Sequence, residues 1–258
     1  MNLPENRFKR AIAAGQQQIG LWNAITGPVV AEALATTGYD WLVIDTEHAL
    51  TDVPDTLGMM QAMAPYPVTP VVRPASNDVV LIKRLLDLGA QTLLIPYVQN
   101  ADEARAAVAA MRYPPRGVRG VAGMTRASRY GQVADYTQRA EQELCLLVQV
   151  ETATALDQIE AIAAVDGVDG LFIGPADLAA SMGHGGNPRH PQVVAAIEAA
   201  IKRIVAAGKP AGILALDPEF ARQCIGWGTS FTAVGVDVLL LTQAAKAARA
   251  AVAPGGGA

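Results

Sequence analysis

A closed (β/α)₈ barrel is the fold that this sequence predicts, and three observations point to it. Short apolar runs alternate with amphipathic helical segments through nearly the whole chain, the pattern of parallel strands covered on both faces by helices. Eight such runs occur in 258 residues, the usual size of one eight-fold barrel. Glycines stand just after several helical segments, where a helix ends in the left-handed region.

The predicted strands, in order, are 18–22, 41–45, 68–73, 92–96, 144–149, 170–173, 209–214 and 231–236. Each is four to six residues long and bounded by polar or turn-forming residues, as a buried strand requires. The predicted helices are 29–36, 79–88, 101–111, 154–163, 192–207, 218–227 and 238–252. Gly38, Gly89, Gly208 and Gly228 follow helical stretches, and Pro4 fits the first turn of an N-terminal helix that closes the bottom of the barrel. Segment 112–143 is too long for a plain helix-to-strand connection. No composition shift divides the chain, so residues 1–252 read as one barrel domain, and the Pro/Gly-rich tail 253–258 reads as disordered.

Composition narrows the function. An apolar share of 51% allows a large core, and a net charge of −4 has the wrong sign for a nucleic-acid or anionic-membrane partner. No apolar run approaches the roughly 18 residues of a membrane span, and the first residues lack the apolar stretch of a signal peptide. The expectation is a cytoplasmic protein. Of the two cysteines, Cys145 lies in an apolar strand and Cys224 in a helical pattern, which suits buried structural thiols rather than a disulfide or a nucleophile.

Polar residues at the C-terminal ends of the strands point into the mouth of a barrel, where its chemistry is done. Glu151 and Asp177 each follow such a strand closely, and two carboxylates from successive strands can hold one oxygen-loving divalent ion. Gln149 alternates with Glu151, so both face the same side. Gly174 lets the backbone approach a ligand, and the amides of Ala176 and Asp177 open a short helix suited to an anion; Asp177 also reads simply as a helix cap. His48, in Asp45-Thr-Glu-His48, could act as a general base. Arg73 ends an apolar strand, a costly place for a cation unless it meets an anion: a substrate oxygen, or Asp45 or Glu47. His184 and His190 lie in a Gly/Pro/Asn loop and read as loop-structuring. Arg116, Arg119, Arg126 and Arg129 cluster in the long loop, either solvated or over the mouth. None of the five lysines, Lys9, Lys83, Lys202, Lys209 and Lys246, falls at a strand's C-terminal end, which argues against imine chemistry.

With these residues assembled, the chain resembles the HpcH/HpaI aldolase family. The matching segments include Gly38–His48, Pro70–Pro74, Asn77–Gly89, Arg112–Gly120, Val148–Thr152 and Gly167–Leu178. The resemblance implies a class II aldolase that splits 4-hydroxy-2-oxo acids into pyruvate and an aldehyde, with 4-hydroxy-2-oxoheptane-1,7-dioate and succinate semialdehyde as the expected pair. It implies Glu151 and Asp177 as ligands of Mg²⁺ or Mn²⁺ (Co²⁺ being a further candidate), His48 as the catalytic base, Arg73 as the transition-state cation, and Gln149, Gly174, Ala176 and Asp177 as substrate-binding positions. Asp87, which by itself reads as a helix-end surface acid, takes the role of raising the basicity of the histidine. A homo-hexamer, a trimer of dimers with the C-terminal helix exchanged between subunits, and a place in aromatic catabolism are implied too. Thr46 and Ala153 depart from residues common in relatives, Gly and Arg respectively. Two rival readings use the same site: an aldolase for 2-keto-3-deoxy sugar acids, and a decarboxylase of oxaloacetate-like acids.

Overall fold

The apolar runs become strands because their residues are buried on both faces, one side against helices and the other against the barrel interior. The computed structural model describes residues 1–253; apart from Ala253, the tail expected to be disordered lies outside the described residues. The strands are β1 (Gln18–Asn23), β2 (Trp41–Asp45), β3 (Thr69–Arg73), β4 (Thr92–Ile95), β5 (Cys145–Val150), β6 (Gly170–Ile173), β7 (Ala211–Leu214) and β8 (Thr229–Val236). They pair in parallel in sequence order, and β8 pairs back on β1 to close the barrel. The predicted fold class is the observed one, with strand ends shifted by a residue or two.

Inside the barrel, Trp22, Trp41, Val43, Val71, Leu94, Cys145, Leu147, Phe172, Phe231 and Ala233 form one apolar cluster. The rings contact one another, Trp41 to Phe231 at 6.1 Å and Phe172 to Phe231 at 6.0 Å between centroids. Two glycines make room for them. A Cβ on Gly20 would lie 2.2 Å from Cε2 of Trp41, and one on Gly212 would lie 2.1 Å from Cε2 of Phe231. The N-terminal helix Arg7–Ala13 plugs the bottom, its Phe8 ring 5.7 Å from Trp41 and 5.8 Å from Phe231. Its cap is Asn6, whose side chain accepts from the Lys9 amide at 3.0 Å; Pro4 precedes the helix instead of sitting in its first turn.

The alternating side-chain direction of a strand then decides what lies above this core. Val43 and Val71 point inward, so Asp45 and Arg73, two residues on, also point inward at the mouth. Leu147 does the same for Gln149 and Glu151. Helices pack on the outer faces through Leu42, Ile44, Val72, Leu93, Leu146 and Ile213, among others.

The structure adds to the sequence pattern and in one respect agrees with it. A helix, Val53–Met63, that the periodicity does not mark follows β2, with a capping box formed by Asp52 and Asp55. Gly38, Gly89, Gly208 and Gly228, the predicted helix ends, all have positive φ. The long connection into β5 packs against the bottom of the barrel. Its Arg126 donates to the Leu88 carbonyl at 2.6 Å, Arg116 pairs with Glu141 at 2.7 Å, and Arg119 is fully buried against the Tyr113 ring, 4.4 Å from its centroid. Within one chain these arginines therefore do not reach the mouth. The last helix, Asp237–Val252, buries only Asp237 and leaves Val238, Leu240 and Leu241 exposed. No helix among the described residues is long and apolar enough to cross a membrane.

The tight fit around Trp41 makes a stability test. Forcing a methyl group into such a contact typically costs about 1–3 kcal/mol, so Gly20→Ala is expected to lower the urea unfolding midpoint accordingly. An unchanged midpoint would mean that the Trp41 ring has room to move.

Candidate active site at the barrel mouth

The ends of β2, β3, β5 and β6 deliver the polar side chains. Asp45 ends β2 and Arg73 ends β3, and the two are register partners. Arg73 donates from Nε to Asp45 Oδ1 at 2.9 Å and from an NH2 nitrogen to Oδ2 at 2.6 Å. Its other terminal nitrogen, NH1, lies 2.7 Å from Glu47 Oε2 and 3.5 Å from Gln149 Oε1, and the guanidinium sits 5.1 Å from the Trp22 ring centroid. Burial opposes ionisation of Asp45, but the hydrogen bonds and charge of Arg73, with the amides of Glu47 and His48, outweigh it and hold this carboxyl below its usual range. Glu47 behaves in the opposite way. Burial and the charges of Asp45 and Asp177 push its pKa up, despite Arg73 and His48.

Glu151 is buried just beyond β5. Gln149 donates from Nε2 to its Oε2 at 2.6 Å, and the amide of Tyr97 donates to its Oε1 at 2.7 Å. Tyr97 can present that amide because its backbone is left-handed, φ 55°, an uncommon conformation for a non-glycine residue. The same loop is tied to β5 again by the Val98 amide, which donates to the Gln149 carbonyl at 3.0 Å. Burial raises the Glu151 pKa; the Tyr97 and Gln149 hydrogen bonds offset this in part, and the charges of Asp177 and Glu47 add to it. Gly174, after β6, is where the glutamate needs space: a Cβ there would lie 2.2 Å from Glu151 Oε2.

Asp177 stands exposed in the first turn of the helix Pro175–Ser181. It is not the side-chain cap of that helix, whose N-cap residue is Gly174. Its charge acts on both Glu47 and Glu151, so three carboxylates share one small region. Hard carboxylate oxygens suit Mg²⁺ or Mn²⁺. Among the described residues no group of three or more His, Cys, Asp or Glu side chains is spaced to enclose a metal; Glu151 and Asp177 are the two carboxylates there that such an ion would have to use.

His48 lies at the rim, 68% exposed at the side chain, with Nε2 3.8 Å from Glu47 Oε1. The structure brings His48, Arg73, Gln149, Glu151, Gly174, Ala176 and Asp177 to this end of the barrel. It does not bring Asp87 there. Asp87 is the last residue of the helix Val79–Asp87 after β3, so it lies at the bottom, where its Oδ1 accepts from Arg119 at 2.7 Å. The sequence reading gave no active part to Asp45 beyond a possible ion pair, left Glu47 as an alternative partner, and missed the Tyr97 amide. The alternation of Asp45 with Glu47 was a usable signal; the Tyr97 contact had none, since it is made by backbone.

The remaining chemistry-bearing residues fall elsewhere. Lys9 pairs with Asp169 at 3.4 Å and Lys209 donates to the Val168 carbonyl at 2.6 Å, both at the bottom. Cys145 and Cys224 are buried free thiols, the second pushed up to about 12 by burial. His184 and His190 stack at 3.6 Å, and both contact Gln192, which structures their loop. An open groove of about 590 Å³ lies at the bottom too, lined by Arg7, Tyr66, Gln91, Arg126 and Glu143, away from the carboxylates.

The chain is similar to known proteins in sequence and in fold. The model of the family HpcH/HpaI aldolase/citrate lyase matches residues 18–244. A pyruvate aldolase of Rhizobium etli is 62% identical over 96% of this chain and 97% of its own length. A 4-hydroxy-2-oxo-heptane-1,7-dioate aldolase of Klebsiella pneumoniae is 56% identical over 94% of this chain and 92% of its own. The crystal structure of an HpcH/HpaI aldolase/citrate lyase family protein from Burkholderia cenocepacia superposes with a TM-score of 0.93 at 42% identity, covering 96% of this chain and 99% of that one.

Two tests follow from the carboxylates. Gly174→Ala pushes Glu151 aside and is expected to weaken Mn²⁺ binding by about tenfold or more, read by calorimetry; wild-type affinity would remove Glu151 from the ligand set. The raised pKa of Glu151 sets a pH dependence. A carboxyl raised by folding contributes stability at low pH that is lost as pH rises through its folded pKa, and a cation bound to the ionised form restores it. The Mn²⁺-induced rise in melting temperature should therefore shrink between about pH 7 and pH 5. An equal rise at both pH values would exclude Glu151 as the titrating ligand.

Proposed function

The chain belongs to the HpcH/HpaI aldolase/citrate lyase family, and from that premise we propose that it is a metal-dependent carbon–carbon lyase. It cleaves 4-hydroxy-2-oxo acids to pyruvate and an aldehyde and catalyses the reverse addition. The expected substrate is 4-hydroxy-2-oxoheptane-1,7-dioate, giving succinate semialdehyde. The observation that carries this reading is the buried Arg73 guanidinium, held by Asp45 on one edge and facing Glu47 and Gln149, which leads to Glu151, with the remaining nitrogen. A site with a fixed cation and an open pair of carboxylates suits a 2-keto acid that becomes an enolate.

Mg²⁺ or Mn²⁺ (or Co²⁺) bound by Glu151 and Asp177 would supply a Lewis acid for the 2-keto acid. The protein groups do the rest. His48 accepts the proton of the 4-hydroxyl; the C3–C4 bond breaks, its electron pair passes to the C2 oxygen as the enolate, and the aldehyde leaves. Arg73 donates to the oxygen that gains negative charge, a fixed donor of the kind that stabilises such states strongly. A proton returned to C3 gives pyruvate. Gln149 keeps Glu151 oriented, and the backbone at Gly174, Ala176 and Asp177 receives the carboxylate end. Asp87 can serve His48 only from a neighbouring copy of the chain, which fits the expected hexamer, and the exposed helix Asp237–Val252 is the element suited to exchange between copies. The expected location is the cytoplasm.

A coupled assay of pyruvate release over substrates that differ in the aldehyde half, with and without metal, tests this reading. Pyruvate and aldehyde should appear in equal amounts; carbon dioxide in place of aldehyde would mean a decarboxylase, and cleavage confined to sugar acids would correct the substrate. His48→Ala should lower the rate by about 10²–10⁴-fold, and Glu151→Ala at least as much. Undiminished cleavage by Glu151→Ala after exhaustive chelation would overturn the metal mechanism.

A further inference from the structure

We propose that Asp45 is a positioning residue of this reaction: one buried carboxylate fixes both the tilt of the Arg73 guanidinium and the path of the loop that carries Glu47 and His48. The inference rests on the pyruvate-aldolase reading above. Asp45 is 2% exposed and is fully occupied by protein donors. Its Oδ1 accepts from Arg73 Nε at 2.9 Å and from the amides of Glu47 at 3.0 Å and His48 at 3.4 Å; its Oδ2 accepts from the Arg73 NH2 nitrogen at 2.6 Å. It therefore acts through Arg73 and the loop.

The geometry selects one edge of the guanidinium. Asp45 takes the Nε–NH2 edge in a two-point fork, which leaves NH1 as the nitrogen that faces Glu47 and Gln149 across the mouth. The Trp22 ring, 5.1 Å from the guanidinium, backs it. The strand ends beneath are locked as well, since the Thr46 amide and hydroxyl both donate to the Arg73 carbonyl, at 3.0 and 2.7 Å. Glu47 already lies against NH1 at 2.7 Å; without Asp45 it would be the only acid on the guanidinium and would draw the whole group toward itself. A donor stabilises a developing charge best when its orientation is set before the charge appears. Asp45 sets that orientation, and by the same oxygen it holds the turn from which His48 projects.

Asp45→Asn keeps the shape and one acceptor but loses the charged fork. In the Mn²⁺-loaded protein it should lower kcat for pyruvate release by about 10–100-fold, with KM and Mn²⁺ affinity within about threefold of wild type. Oxalate, a planar dianion shaped like the pyruvate enolate, should bind about tenfold more weakly by calorimetry. In the Arg73→Ala background, adding Asp45→Asn should weaken oxalate no further, because the two residues act as one unit. Additive losses, or wild-type kcat and oxalate affinity in Asp45→Asn, would overturn the role of Asp45 while leaving the aldolase reading intact. Loss of Mn²⁺ affinity and melting temperature in step with kcat would reduce Asp45 to a structural residue. A wild-type protein that releases no pyruvate would defeat both.

Discussion

The guanidinium of Arg73 is the charge on which the barrel mouth depends. Glu47 feels the charges of Asp45 and Asp177, Glu151 those of Asp177 and Glu47, and burial raises the pKa of Glu47 and Glu151. Left alone, such carboxylates neutralise by taking up protons. Arg73 contacts two of them directly, Asp45 and Glu47, and keeps the first below its usual pKa. Among the described residues no cation pairs with the other two, Glu151 and Asp177. That asymmetry divides the mouth into a half whose carboxylates Arg73 neutralises and a half whose carboxylates stand without such a partner.

The apolar barrel interior makes this division possible. Aromatic rings fill the lower layers so fully that Gly20 and Gly212 cannot carry a side chain, and the N-terminal helix seals the bottom with Phe8. The polar residues have one open direction, upward. Alternation along β2, β3 and β5 then puts Asp45, Arg73, Gln149 and Glu151 on the inner face as a set. A one-residue slip in any of these strands would exchange that set for the apolar residues facing the helices, so packing of the core and placement of the chemistry share one register.

Two features of the single chain point outward. Asp87 sits at the bottom with the buried Arg119, which has two guanidinium nitrogens, Nε and NH1, without hydrogen-bond partners. The last helix exposes apolar residues along its length. Both are features of surfaces that an assembly would use: an acid held rigidly but partly exposed, and an unburied apolar face.

The sequence by itself determined the barrel and several of the residues that reach its mouth; the class of chemistry came with the resemblance to a family. A carboxylate or arginine directly after a short apolar strand has few inexpensive explanations, so Glu151, Asp177 and Arg73 were legible from local pattern, as was the absence of a lysine at any strand end. The helix Val53–Met63 was less legible, because Pro54, Gly58 and polar residues interrupt its period. Only the tertiary structure decided how the site is wired. The Asp45–Arg73 fork joins residues 28 apart, and the Tyr97–Glu151 contact joins residues 54 apart through a backbone amide in a left-handed turn. Asp87 reads from local pattern as a helix-end acid, and the structure places it there, at the opposite end of the barrel from His48; what only the structure shows is its partner, Arg119. Local sequence records which groups cannot be buried alone; the partners that satisfy them are chosen by closure of the barrel, which sets neighbours across strands that no spacing along the chain encodes.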